Sequence, residues 1–335
     1  MDKNDIKNIA EIKEREMKNY NSVKILSSYL NHCPRLITDE IMNEITGGDK
    51  RFDEPSLAVF LAEALCEDES IEREVEKEFR LGIKKLNAEV YKNNPYYKSI
   101  KIEPQGVGNC TLGYQTYEPY EGFVCDEITC RDDYSEIVNI GFFDEKFSFP
   151  AVFENGVEWM AIKPNEIETM KEPIEKSDGK VITFGLGMGY FAYMASEKEN
   201  VTSVTVVEQN ENVIKLFEEN ILPQFSHKEK IKIVKSDAFD FLKGKMNDGV
   251  YDFAFFDLWH DVSDGTEMYI KLKKHEPLFN KTQFSYWIEK SILAFIRWKL
   301  FDKLTDNYQR NNELSYEQIT QVLSLEQLKK IIKFI

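Results

Sequence analysis

Lys180-Val-Ile-Thr-Phe-Gly-Leu-Gly-Met-Gly-Tyr190 is the stretch whose reading decides the fold. Lys180–Phe184 is mostly apolar and β-prone, and it stops at glycine, so it reads as a buried strand. Gly185, Gly187 and Gly189 follow at alternate positions. A helical pattern then runs to about Lys198. Glycines at a strand-to-helix turn let backbone and ligand approach closely, since no Cβ stands between them. The N–H groups that open the helix then face whatever binds. A tight turn with no ligand would use the same glycines.

Downstream the rhythm repeats. Val201–Glu208 reads as a second strand, and Asn210–Leu222 as a helix stopped by Pro223. Ile231–Ser236 is a third strand, with a short helix from Ala238 to about Lys243. Tyr251–Asp257, nearly all apolar, is a fourth, and Gln283–Ile288 a candidate fifth. Strands alternating with helices at this spacing give a parallel sheet covered on both faces. The expected fold class is α/β, a Rossmann-like, mostly parallel sheet with helices on both faces. Beyond Ile288 only helical periodicity follows, so the sheet is expected to stop at five strands. Ile292–Leu304 is helical in period. Ser315-Tyr-Glu-Gln318 and Ser324-Leu-Glu-Gln327 have the capping-box form, which predicts two short terminal helices.

Upstream, residues 96–170 read as a small antiparallel β region. Thr111–Tyr117, Glu136–Phe142, Phe147–Phe153 and Glu158–Ile162 are the candidate strands, with an Asn155-Gly156 turn signal. Pro164 opens a short helix to about Met170. Residues 1–95 read as a helical appendage that carries no recognisable chemistry and is a candidate oligomerisation element. Ile71, Val75, Phe79, Ile83, Leu86 and Val90 fall on one helical face, with Gly82 inside the pattern. The expected division is therefore 1–95 helical, 96–170 small β, and 171–335 Rossmann-like domain with a helical tail.

The strand ends carry the chemistry. Glu208 closes the second strand roughly 20 residues beyond Gly187, a spacing that suits a carboxylate accepting both ribose hydroxyls of a nucleoside. A surface Glu opening the next helix would look the same. Ser236-Asp237-Ala238 ends the third strand. Asp237 there can accept an adenine amine or cap the following helix, and the two roles are compatible. Asp257-Leu-Trp-His-Asp261 ends the fourth. Asp257, His260 and Asp261 would sit at the rim where open α/β sheets bind ligands, able to orient or deprotonate an amine or hydroxyl. The alternative is a capped strand end beside a packed Trp259.

Composition narrows the classes. The chain has 335 residues, 42% hydrophobic and 30% charged, with a formal net charge of −16. At roughly 100–200 residues per domain, that length suggests two domains or one with an appendage. An acidic surface argues against bulk nucleic-acid binding, which needs concentrated Lys and Arg. Five cysteines and four histidines show no metal-ligand spacing, so no metal is expected. Few, unpaired cysteines and a charged N-terminus without an apolar core suggest a cytoplasmic protein with reduced thiols. Phe284–Phe301, the most membrane-like run, is broken by Glu289, Lys290, Arg297 and Lys299.

The nicotinamide fingerprint would need glycine or alanine at 190, where Tyr190 stands. GxGxG with Glu208 and the Asp237-Ala238 pair instead resembles the class I S-adenosylmethionine-dependent methyltransferase superfamily, over roughly residues 175–290. The resemblance implies S-adenosylmethionine as cofactor and a small-molecule or protein acceptor. Gly185, Leu186, Gly187 and Gly189 would pass its methionine part. Glu208 would hold the ribose and Asp237 the adenine amine, with Gln209 and Ala238 beside them in the cofactor site, and Asp257 would border the transferred group.

A narrower resemblance concerns spermidine synthase-like aminopropyltransferases, which place a small β domain before the same core. Phe153-Glu-Asn-Gly-Val-Glu-Trp159 and Pro164-Asn-Glu-Ile-Glu-Thr-Met170 are similar to their approach to that core. Thr183 stands where many methyltransferases carry an acid. The chain departs from that family at His260, where its base is Asp, with Asp261 one place later. Val262-Ser-Asp-Gly265 replaces its Pro-rich loop. The Asn/Asp-Pro-Pro-aromatic motif of amino-group DNA methyltransferases is absent. The rival reading is a non-catalytic nucleoside-binding or interaction protein.

Overall fold

The computed structural model describes residues 3–66, 69–133 and 135–299. The predicted caps at Ser315 and Ser324, and the end of the helix predicted to Leu304, lie outside these residues. The described chain forms two compact units, each discontinuous in sequence.

Among the described residues, one unit takes 3–66, 69–85, 121–133, 135–142 and 290–299. Its helices are α1 (Lys3–His32), α2 (Asp39–Thr46), α3 (Asp53–Leu65) and α4 (Glu69–Gly82). Local chemistry sets their ends. Thr38 caps α2 by accepting from the Ile41 N–H at 3.4 Å, and Gly47 ends it in the left-handed region at φ 64°. The helical face predicted through Val90 does not continue past Gly82. Ile83–Lys85 instead forms a strand parallel to Ile140–Phe142, which also pairs antiparallel with Phe123–Val124. Val75, Phe79 and Ile83 are buried, whereas Val90 is exposed. Strand pairing takes over where the glycine lets the chain close on its neighbour. A methyl group at Gly82 would overlap the Val138 carbonyl oxygen.

The predicted strand Glu136–Phe142 is split into Glu136–Ile137 and Ile140–Phe142. Asn139 in the gap donates to the Glu127 carbonyl and to the Thr129 hydroxyl. Residues 290–299 are helical and return to this unit, where buried Arg297 pairs with Glu16 and Glu136. That buried pairing gives a physical reason why 121–142 and 290–299 fold with α1–α4. The sequence pattern instead assigns them to the small β region and the Rossmann-like domain.

The other unit takes residues 86–120 and 143–289. It opens with short helices α5 (Ala88–Lys92) and α6 (Pro95–Ser99). A four-stranded antiparallel sheet follows, β1 (Gly106–Val107), β2 (Cys110–Tyr117), β3 (Phe147–Glu154) and β4 (Val157–Ala161), in that spatial order. Asn155 and Gly156 both have positive φ, 52° and 82°, so the predicted turn is a tight hairpin matched to the strand twist. Helices α7 (Pro164–Thr169) and α8 (Lys171–Lys176) lead into the core.

The core alternates β5 (Gly179–Phe184), α9 (Tyr190–Ser196), β6 (Val201–Glu208), α10 (Glu211–Asn220), β7 (Ile231–Lys235), α11 (Ala238–Gly244), β8 (Phe253–Phe256), α12 (Val262–Lys273) and β9 (Gln283–Tyr286). All five strands are parallel, in the order β7-β6-β5-β8-β9. This is the Rossmann-like α/β architecture the sequence predicts, and among the described residues the sheet has five strands. Val181, Ile182, Phe184 and the whole Phe253–Phe256 run are buried, as a sheet covered on both faces requires. Phe184 and Phe256 stack across β5 and β8 with centroids 4.6 Å apart. No helix among the described residues is long and apolar enough to cross a membrane.

Gly82→Ala should cost about 1–3 kcal/mol of stability in urea unfolding, because the added methyl must push a backbone carbonyl aside. Gly244→Ala, with nothing within 4 Å of the added atom, should be neutral or stabilise by about 0.4–1 kcal/mol.

Candidate functional site

Strand order places the site. The chain runs from β5 outward through β6 to β7, then returns to β8 and β9 on the other side of β5. The switch point lies beyond the C-terminal ends of β5 and β8, where open α/β sheets bind ligands. The glycine turn stands there.

All three glycines have positive φ: 99° at Gly185, 54° at Gly187 and 75° at Gly189. Their surroundings differ. A Cβ at Gly185 would overlap the Asp257 carbonyl oxygen, and one at Gly189 would overlap the Phe217 ring of α10. Folding alone demands those two. At Gly187 a Cβ would meet only the Met160 sulfur of β4, at 3.6 Å. Gly187 is the place where absence of a side chain leaves room. The Gly189 N–H donates to the Leu186 carbonyl at 2.8 Å, and Gly189 opens α9.

Glu208 ends β6 and reaches back to this turn. Its Oε2 accepts from the Leu186 N–H at 3.1 Å, and its Oε1 from the Gln209 and Asn210 N–H groups at 2.8 and 2.7 Å. One carboxylate therefore ties the glycine turn to the start of α10. Asn210 caps α10 beside it. Asp237 caps α11, taking the Phe239 and Asp240 N–H groups at 2.9 and 3.0 Å through one oxygen. It is exposed, and Ala238 behind it is buried. Of the predicted contacts, Gly185, Leu186, Gly187, Gly189, Glu208 and Gln209 come together. Asp237 and Ala238 stand at the end of β7, two strands from β5.

Asp257 is half-buried at the end of β8. Burial raises its carboxyl pKa, and the Glu208 charge raises it further. His260 and Asp261 have other employment. Asp261 caps α12 by accepting from the Ser263 N–H at 2.6 Å, and Asp264 completes the capping box by accepting from the Asp261 N–H at 3.0 Å. The exposed His260 ring turns its Nδ1 to Asp264 at 3.2 Å. Trp259 is buried against α12, where a Cβ on Gly265 would lie 2.7 Å from its ring. The Val262–Gly265 stretch is thus the first turn of a helix, and this rim is built largely as a helix cap.

Glu166 escaped the sequence reading. It lies on α7, opened by Pro164 at its first turn. Burial raises its pKa most, the Asp257 charge adds to this, and Lys163 opposes it. Lys163 itself pairs with Glu158 of β4 at 3.3 Å. Glu166 and Asp257 are two carboxyls that resist ionising together. The available signal was the acid at the third position of a Pro-initiated helix just before the core.

The core is a Rossmann-like α/β fold, with all five described strands parallel and a glycine turn at the switch point. No protein-family model matches the chain, and no curated protein matches it. Similar solved structures include spermidine synthase from Thermotoga maritima, at 15% identity over 44% of this chain and 54% of that one, with a TM-score of 0.30. Another is TrmK of M. capricolum in complex with S-adenosyl-homocysteine, at 11% identity, 35% and 49% coverage, and a TM-score of 0.29. Precorrin-6y C5,15-methyltransferase of Geobacter metallireducens is a third, at 18% identity, 28% and 49% coverage, and a TM-score of 0.24. The chain spans about half the length of the structures it matches.

Two outcomes are expected. Gly185→Ala should lose about 2–4 kcal/mol in chemical unfolding, from left-handed backbone strain plus the clash, while Gly187→Ala should lose only about 1–2 kcal/mol. The folded state binds more protons than the unfolded chain between the ordinary carboxylate pKa and the raised values of Glu166 and Asp257. Stability should therefore fall as pH rises through that window, and Glu166→Gln should flatten the fall in melting temperature measured across it.

Proposed function

We propose that this protein binds S-adenosylmethionine at the turn between β5 and α9 and transfers its alkyl group, as a methyltransferase, to a small-molecule or protein acceptor. The observation that carries the reading is the turn itself. It is a three-glycine loop at the sheet's switch point, open at Gly187 and tied to a strand-end carboxylate, Glu208. The residues fit the donor. Glu208 spends three acceptor sites on backbone N–H groups and keeps about one, on Oε2, for a ribose hydroxyl, since an ionised carboxylate offers about four sites. Gly185, Leu186, Gly187 and Gly189 would hold the amino-acid end, Glu208 and Gln209 the ribose, and Asp237 and Ala238 the adenine.

When bound, the donor supplies an electrophilic carbon on a positively charged sulfur. The protein's task is then mainly to position the acceptor in line. A protonated acceptor must also lose a proton. Glu166 and Asp257 suit that step better than His260 and Asp261. Their raised affinity for protons comes first from burial and then from a neighbouring negative charge, Asp257 for Glu166 and Glu208 for Asp257, whereas His260 and Asp261 are engaged in the α12 cap.

One arrangement favours a second reading, aminopropyl transfer of the spermidine synthase kind. The antiparallel sheet β1–β4 stands directly before the core, and its Met160 faces the open glycine.

Calorimetry with S-adenosylmethionine, S-adenosylhomocysteine, decarboxylated S-adenosylmethionine and NAD tests both readings. S-adenosylhomocysteine should bind and NAD should not. Glu208→Ala should weaken binding by about 10–100-fold, the worth of charge-assisted hydrogen bonds. Undiminished affinity in Glu208→Ala would remove the site assignment, and binding of the decarboxylated donor alone would select aminopropyl transfer.

A further inference from the structure

The glycine turn is bonded on its far side by a segment that the site as described so far does not use. Asn94-Pro-Tyr96 opens α6, far from the turn in sequence and within the same compact unit. Tyr96 is fully buried, and its hydroxyl donates to the carbonyl of Met188 at 2.6 Å. Met188 is the residue between Gly187 and Gly189. Asn94, also buried, uses both ends of its amide. Its oxygen accepts from the Tyr96 N–H at 2.9 Å, and its nitrogen donates to the Tyr190 hydroxyl at 3.0 Å. The Tyr96 ring packs edge-on against Tyr190 and Tyr193, with centroids 5.7 and 5.4 Å apart. One turn further along, Ser99 meets the Tyr193 hydroxyl at 2.9 Å.

These bonds fall where the chain is softest. Alternate glycines leave the 185–189 backbone with more conformational freedom than any other residues would, so holding one conformation there carries a large entropic cost. A hydrogen bond in a buried, low-dielectric setting holds a peptide plane firmly. The Met188 peptide is held at both ends, its carbonyl by Tyr96 and the following N–H, that of Gly189, by the Leu186 carbonyl. Burial keeps the Tyr96 hydroxyl protonated and thus a donor at any working pH. Tyr190, which stands where a nicotinamide fingerprint would have a small residue, becomes the anchor through which Asn94 grips the start of α9.

We infer that Asn94 and Tyr96 are positioning residues that hold the Met188 peptide, and with it the glycine turn, in the conformation that receives the amino-acid end of the donor. The inference rests on the S-adenosylmethionine reading above. It assigns a binding role to a segment outside the α/β core, at the boundary between the 1–95 and 96–170 regions.

The test is Tyr96→Phe, which keeps the buried ring and removes one hydroxyl, with Asn94→Ala as a second variant. Affinities for S-adenosylhomocysteine and for 5′-methylthioadenosine, which lacks the amino-acid end, are measured by calorimetry. Hydrogen exchange is followed at the amides of residues 186–190 and of β5. Tyr96→Phe should weaken S-adenosylhomocysteine about tenfold and leave 5′-methylthioadenosine within twofold. Exchange should quicken at 186–190 and stay unchanged in β5. Wild-type affinity and exchange in both variants would overturn the inference. So would equal losses for both ligands with faster exchange throughout the core, since that marks a merely structural role. If the wild-type protein binds neither ligand, the donor reading fails and the donor-positioning role fails with it. Wild-type binding with unaltered variants would overturn this inference alone.

Discussion

Two backbones approach each other at Gly185 and Asp257 more closely than any side chain would permit, and the site depends on that approach. β5 and β8 are parallel neighbours, with Phe184 opposite Phe256. Beyond that pair the strands end, and the Asp257 N–H donates to the Phe184 carbonyl at 2.9 Å. The chain leaving β5 must then turn under the Asp257 carbonyl. Only a residue without Cβ, at positive φ, makes that turn. Because it turns there, the Leu186 N–H faces Glu208, Gly187 opens beside Met160, and Gly189 starts α9 against Phe217. Packing and the candidate ligand surface are thus one construction.

Electrostatics at this rim follows burial more than count. Glu208, Asp257 and Glu166 do not behave alike. Glu208 is satisfied by three N–H donors. Asp257 and Glu166 lie in the protein's low-dielectric margin, and the raised pKa of each reflects desolvation first and neighbouring negative charge second. Such a pair holds a proton that a solvated carboxylate would have lost. The His260–Asp264 stretch, by contrast, stabilises the first turn of α12.

The core was legible because its signals are local. Val201–Glu208 was read to the residue, and Gly179–Phe184 within one. Strand composition and glycine punctuation mark such edges without reference to anything distant. Asn210 and Asp237 were legible as cap types for the same reason, and both do cap helices. The failures share a different cause. Ile83 carries the right spacing for a helical face yet joins a strand, because its partner Ile140 lies far along the chain. Glu166 drew no notice because its character comes from Asp257, remote in sequence.

By itself the sequence determined the class of fold, the order of strands and helices in the core, and the residues of the glycine turn. All of these follow from hydrophobic period, turn chemistry and spacing within short windows. Only the tertiary structure decided which segments share a unit, which glycine is open, and which carboxyls repel one another. It alone brought Tyr96 to the Met188 carbonyl. The reason is physical: backbone preference acts over a few residues, whereas desolvation, repulsion and buried hydrogen bonds depend on distance in space. A linear sequence does not state those distances.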